Sequence, residues 1–176
     1  FHFVQGVYKE MSGQPLYLLA MLLGYGVIVL IAGRLIRTNR DIKGSGIPQV
    51  EAELKGLLAV SWWDTLWKKY ILGVLAIGSG LMLGREGPSI QLGAMGGKGV
   101  AHHLKVSPVE ERSLIASGSA AGLAAAFNAP IAGLLFVVEE VYHHFSRFFW
   151  ISTLAASLTA NFISLNVFGQ TPVLHM

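Results

Sequence analysis

The sequence predicts an all-α fold: a polytopic membrane helix bundle in which full-length helices alternate with broken, half-length ones. Three observations carry this expectation. Of the 176 residues, 53% are hydrophobic and 13% charged, with a mean hydropathy of +0.55; soluble domains carry roughly 25% charged residues. The run Leu16 to Gly33 holds no charge over about the minimum length that crosses a bilayer. Apolar segments also begin at Ser45-Gly46-Ile47-Pro48, Glu86-Gly87-Pro88 and Asn128-Ala129-Pro130. Short helices at membrane depth are tolerated where their ends are buried in protein or line a cavity. In transporters such half-helices aim their positive ends at anionic substrates.

The elements follow in order. Residues 1–13 read as a loop or frayed start, and Gln14-Pro15 opens a long helix over 15–38. Arg34, Arg37, Arg40 and Lys43 follow the apolar run, so this end faces the cytoplasm and no signal-peptide cleavage site is present. Asn39 to Gly46 is a polar break. Ser45 is placed as the N-cap of a short helix to about Gly56, with Pro48 in its first turn and Glu51 soon after. Trp62, Trp63, Lys68 and Lys69 read as an interfacial belt leading into an apolar helix to about Leu83. A helix from Pro88 to His103 follows, with Pro88 at the first helical position, where its missing N–H loses nothing. Ser107 caps the next helix, Pro108 to Phe127, and Glu110 completes a capping box. Asn128-Ala129-Pro130 then starts a half-length helix ending near Tyr142, and a last apolar segment covers 148–165. Small residues in Gly73-x4-Gly78-x-Gly80 and in Gly118 to Ala126 allow close helix packing.

Several function classes fall away. There is no cysteine, so disulfide frameworks and thiolate metal sites are excluded. His102-His103 and His143-His144 are adjacent pairs whose side chains diverge by about 100° on a helix, so they share no ligand geometry. The net charge of +3 comes from basic residues at segment ends, not from an interleaved face, which argues against nucleic acid. The glycine-rich loops lack a Walker lysine and a GxGxxG pattern, which argues against a nucleotide-handling enzyme. A soluble α/β enzyme is the remaining competitor, and Leu16–Gly33 weighs against it.

Gly84-Arg85-Glu86-Gly87-Pro88 has the outline of an anion gate. Glycines permit close backbone approach, and the free N–H groups of a helix start attract anions. The Glu86 carboxylate can neutralise that helix end or move aside for a dissolved anion. Adjacent helical residues do not face each other, so a permanent pair of Glu86 with Arg85 is disfavoured. At Gly44-Ser45-Gly46, a hydroxyl and nearby amides can donate to an anion without a formal positive charge, which keeps binding weak enough for release.

These residues carry a resemblance. Gly44-Ser45-Gly46-Ile47-Pro48 is similar to the first anion-site motif of the chloride channel and chloride/proton exchanger (ClC) family, and Gly84 to Pro88 to its gating-glutamate motif. Ala120 to Pro130, with Glu139-Glu140, resembles the connection and half-helix that follow. Order and spacing agree over most of residues 15–165.

The resemblance implies a multi-pass integral membrane protein, in the cell membrane if bacterial, that exchanges chloride for protons. The alternative is a passive, voltage- or pH-gated chloride channel of the same family. Residues 1–176 match most of the first repeat of an inverted-repeat ClC-type domain. The later anion-site motif and the tyrosine that closes the inner side have no match, so a fragment is expected. Chloride is implied to bind at Gly44, Ser45, Gly46, Arg85, Glu86 and Gly87, with Arg85 contributing its backbone amide. Glu86 is implied as the gate and external proton acceptor, and Glu140 as the internal one, with Glu139 structural. Ser45 is implied to favour chloride over nitrate, where proline would reverse the preference. No cofactor or metal is implied; the partners are chloride, protons, the bilayer and a second copy in a homodimer. Ile131, Leu134, Leu135 and Val138, with Ile151, Leu154 and Leu158, are the packing stripes expected there.

Overall fold

The computed structural model describes residues 15–79, 84, 86–142 and 147–169. Helices α1 (Pro15–Thr38), α2 (Ile47–Leu54), α3 (Trp62–Gly78), α4 (Glu86–Leu104), α5 (Pro108–Phe127), α6 (Pro130–Phe136) and α7 (Arg147–Phe168) follow in order. A 3-10 turn, Arg40–Ile42, lies between α1 and α2, and a wider π-helical turn, Val137–Tyr142, continues α6. Among the described residues there is no strand, as an all-α fold requires.

Local chemistry sets several of these boundaries. Ser107 Oγ accepts from the Glu110 N–H at 3.4 Å while the Glu110 carboxylate accepts from the Ser107 N–H at 2.9 Å, closing the expected capping box. Asn128, at φ 54°, ends α5 in the left-handed region that asparagine tolerates, and Pro130 restarts the chain as α6.

Two starts differ from expectation. The N-cap of α2 is Gly46, not Ser45: φ is 98° there, which a side chain would strain, and the cap makes no side-chain hydrogen bond. Helix α4 begins at Glu86, which leaves Pro88 third in the helix instead of first. The first amides of a helix have no intrahelical partner, so proline loses nothing at the third position either.

The core lies between α4, α5, α6 and α7, where Ala94, Met95, Ile115, Ala116, Ala120, Leu134, Val137 and Phe149 are buried together. Along the α4–α5 seam the two backbones lie in direct contact. A Cβ on Gly93 or Gly118 would strike the other's carbonyl oxygen, one on Gly97 that of Leu114, and one on Gly122 that of Ser89. Gly118 and Gly122 were expected to permit such packing. Gly73 instead comes no nearer than 4.0 Å to Pro88, and Gly78 has nothing within 4 Å. Helix α7 rests on α5 through Ser117 Oγ and Thr153 Oγ1 at 3.0 Å and from Ser164 Oγ to the Ala125 carbonyl at 3.2 Å.

Two further expectations change. Leu134 and Val138 turn into the chain's own core, while Ile131, Leu135, Ile151, Leu154 and Leu158 stay exposed, so only part of the first packing stripe faces outward. Among the described residues, no helix is long and apolar enough to cross a membrane. Helix α1 still leaves Leu22, Leu23, Val27, Val29 and Leu30 more than half exposed.

Candidate anion site

Three helix starts converge. The loop Gly44–Gly46, which leads into α2, lies on the first turn of α4. A Cβ on Gly87 would stand 2.5 Å from the Ser45 carbonyl oxygen and 2.7 Å from its Cβ. Gly46 meets the side chain of Gln91, whose Cδ would be 2.7 Å from such a Cβ. Both glycines are therefore needed for close approach, and Gly44 (φ 72°) and Gly46 (φ 98°) also for conformation. From the other side, the start of α6 meets the start of α4 across a cleft of about 200 Å³. Its lining is Glu86, Ile90, Leu123, Phe127, Ala129, Ala132, Gly133 and Phe136.

The loop's carbonyls are taken up from behind. Lys69 Nζ donates to the carbonyls of Ile42 at 3.1 Å and Gly44 at 2.8 Å. Gln91 Nε2 donates to the Asp41 carbonyl at 2.8 Å, and Gln49 Nε2 to that of Lys43 at 2.9 Å. The amides of Gly44, Ser45 and Gly46 have no hydrogen-bond acceptor among the described residues. Ser45 is exposed, and its Oγ accepts from the Ile47 N–H at 3.4 Å. The loop's amides are thus left without acceptors while the carbonyls of Asp41 to Gly44 are taken up.

Glu86 is the first residue of α4 and is exposed at the cleft, where free helix-start amides favour negative charge. The apolar wall of Ile90, Leu123, Phe127 and Phe136 gives the cleft a low dielectric, which strengthens any charge interaction made in it. Of the expected site residues, Gly44, Ser45, Gly46, Glu86 and Gly87 fall in this region. Gly84 is exposed nearby, and Arg85 lies outside the described residues. The backbone of Glu140 lies in the π-helical turn, and its side chain, like His143 and His144, is outside the description.

Two residues had been assigned elsewhere or missed. Lys69 was placed in an interfacial belt with Lys68, yet the two are 3% and 7% exposed. Lys68 pairs with Asp64 at 2.7 Å, and Lys69 holds the Gly44 loop from 25 residues away in sequence. Gln91 is fully buried and carries no sequence signal beyond its place one turn past Gly87. Trp63 does stay exposed as a belt residue would, while Trp62 packs against Gly99 and the rings of His102 and His103 at 6.1 and 5.8 Å.

Known proteins resemble this chain over most of its length. A family model described as voltage gated chloride channel matches residues 26–176. The chain is 41% identical over 167 residues to an H(+)/Cl(-) exchange transporter ClcA of Vibrio campbellii (strain ATCC BAA-1116), covering 92% of this chain and 35% of that protein. A protein of the same name from Salmonella arizonae is 43% identical over 138 residues, 76% of this chain and 29% of its own length. The chain therefore spans about a third of the length of the curated relatives it matches. The crystal structure of a slow cyanobacterial Cl-/H+ antiporter superposes with a TM-score of 0.85 at 33% identity, over 99% of this chain and 41% of that one.

Proposed function

Since this chain belongs to the voltage gated chloride channel family, we propose that it forms the first repeat of the membrane domain of a chloride–proton exchanger. The second, inverted repeat belongs on this reading to the rest of a longer polypeptide. The convergence of three helix starts around Glu86 carries the proposal, supported by relatives named as exchangers. Chloride is the substrate, no covalent step is involved, and no resident cofactor is needed.

Chloride passes the amides of Gly44, Ser45, Gly46, Arg85 and Gly87. Glu86, as carboxylate, occupies the positive start of α4; protonated, it withdraws and chloride takes its place. Glu140, beyond the other end of α6, exchanges that proton with the inner solution. The full protein crosses the cell membrane several times and works as a homodimer, for which the exposed Ile131, Leu135, Ile151, Leu154 and Leu158 supply an apolar face.

The test is simultaneous recording of chloride efflux and pH in liposomes loaded with full-length protein. Wild type drives protons uphill as chloride runs down its gradient; Glu140→Gln reduces proton movement to background while chloride still flows. Chloride flux without proton flux in wild type replaces the exchanger with a channel. A coupled Glu140→Gln leaves the exchanger and removes the inner proton route.

Ser45 sets selectivity on the same reading. A hydrogen bond to a charged group is worth about 1.5–3 kcal/mol. Ser45→Pro, which removes both the hydroxyl and the amide proton, should therefore weaken chloride binding roughly tenfold or more. It should also raise nitrate transport relative to chloride. An unchanged nitrate-to-chloride ratio in folded protein takes Ser45 out of the selectivity mechanism.

A further inference from the structure

Helix α2 is held at both ends. At its start, the contacts of Ser45 with Gly87 and of Gly46 with Gln91 set how closely it approaches α4, and Gln91 Nε2 ties the chain just before the loop through the Asp41 carbonyl at 2.8 Å. At its far end stands Glu53, its side chain 5% exposed, next to the negative pole of its own helix. Lys98 reaches across from α4, 16% exposed, and its Nζ donates both to Glu53 Oε1, in a short ion pair, and to the Val60 carbonyl at 2.7 Å. The Val60 N–H donates to the same carboxylate oxygen at 3.3 Å. Glu53 Oε2 is buried and has no hydrogen-bond partner among the described residues.

An ion pair buried this far is a poor way to gain stability. A well-packed apolar pair of similar volume is often as stable or more so, because both charges must be stripped of water. Directional hydrogen bonds do what apolar contacts cannot: they fix one helix along the axis of another. Helices α2 and α4 both begin at the anion site and both run to this clamp, over about 9 Å and 18 Å at 1.5 Å per residue.

We propose that Glu53 and Lys98 are positioning residues, a clamp that sets where the Gly44–Gly46 loop stands relative to Glu86. The clamp acts on the anion site proposed above and rests on that reading. A second ion pair on α2, Glu51 with Lys55 at 2.5 Å, joins residues one turn apart on the same stretch of chain in an exposed position.

The experiment uses full-length protein with two readouts: amide hydrogen exchange across residues 46–54 and chloride affinity by calorimetry. Glu53→Gln should speed exchange in α2 and weaken chloride binding by about tenfold or more, since small displacements of a binding group are costly. Glu53→Asp keeps the pair but is one methylene shorter, so it should change chloride affinity and the nitrate-to-chloride ratio with little change in Tm. Lys55→Gln should alter neither. If Glu53→Gln lowers Tm but binds chloride as wild type does, and Glu53→Asp matches wild type throughout, the clamp is structural and the proposal falls. Hydrogen exchange separates the two readings. Wild type that binds no chloride overturns the anion site, whereas unchanged α2 exchange in Glu53→Gln overturns the clamp.

Discussion

Glu86→Gln in the full-length protein removes chloride-driven proton uptake and leaves chloride flux running. The side chain sits on the first residue of α4, where the free amides of the opening turn carry a partial positive charge. A carboxylate and a chloride ion compete for that charge, and each can satisfy it alone. Glutamine has the size and shape of glutamic acid but neither competes as an anion nor carries a proton. The interaction of a charge with a helix end is worth about 0.3–2 kcal/mol, so removing the competitor should tighten chloride binding by a factor between about 2 and 30. Coupled proton flux, by contrast, should fall to background. Liposome assays that record pH and chloride together read both effects at once. Uphill proton movement that survives Glu86→Gln rules out Glu86 as the proton acceptor.

The second large effect comes from two neighbouring glycines with opposite surroundings. A Cβ on Gly97 would lie against the carbonyl of Leu114 across the α4–α5 seam, and that of Gly96 would meet nothing within 4 Å. Alanine in a helix is favoured over glycine by about 0.5–1 kcal/mol. Gly96→Ala should gain about that much. Gly97→Ala has the same propensity gain but must push two backbones apart, and overpacking costs about 1–3 kcal/mol, with backbone neighbours at the upper end because they cannot rotate away. The two variants should thus differ by roughly 1–3 kcal/mol, the overpacking cost alone, with Tm lowered for Gly97→Ala and unchanged or raised for Gly96→Ala. Equal melting temperatures in detergent would show that the seam opens at little cost.

Much of the helix order was legible because proline and capping residues write their positions locally. Pro15, Pro108 and Pro130 each open a helix, and Ser107 with Glu110 closes its box within four residues. The loop residues of the site were legible for a related reason: glycine at φ > 0 and proline in a first turn constrain the chain over a few residues. What was not legible is long-range. Lys69 beside Trp63 reads as an interfacial residue until the loop at Ile42–Gly44 folds back and offers it two carbonyls. Gly93 and Gly97 gave no more signal than Gly73 or Gly78, because small residues permit close packing without saying which helix will come close. Glu53 and Lys98 lie 45 residues apart, and nothing in either segment names the other.

The seam between α4 and α5 bears on the order in which the protein is built. The two helices are joined by a turn of only three residues, Lys105–Ser107, and stack antiparallel along glycine surfaces. Contacts between such near neighbours in the chain close a short loop and form quickly, while contacts between distant segments wait. This hairpin can therefore assemble as soon as Phe127 has left the ribosome, before α6 or α7 has emerged. Glu86 then stands on the first finished unit, and α6 docks afterward against a helix start that is already in place.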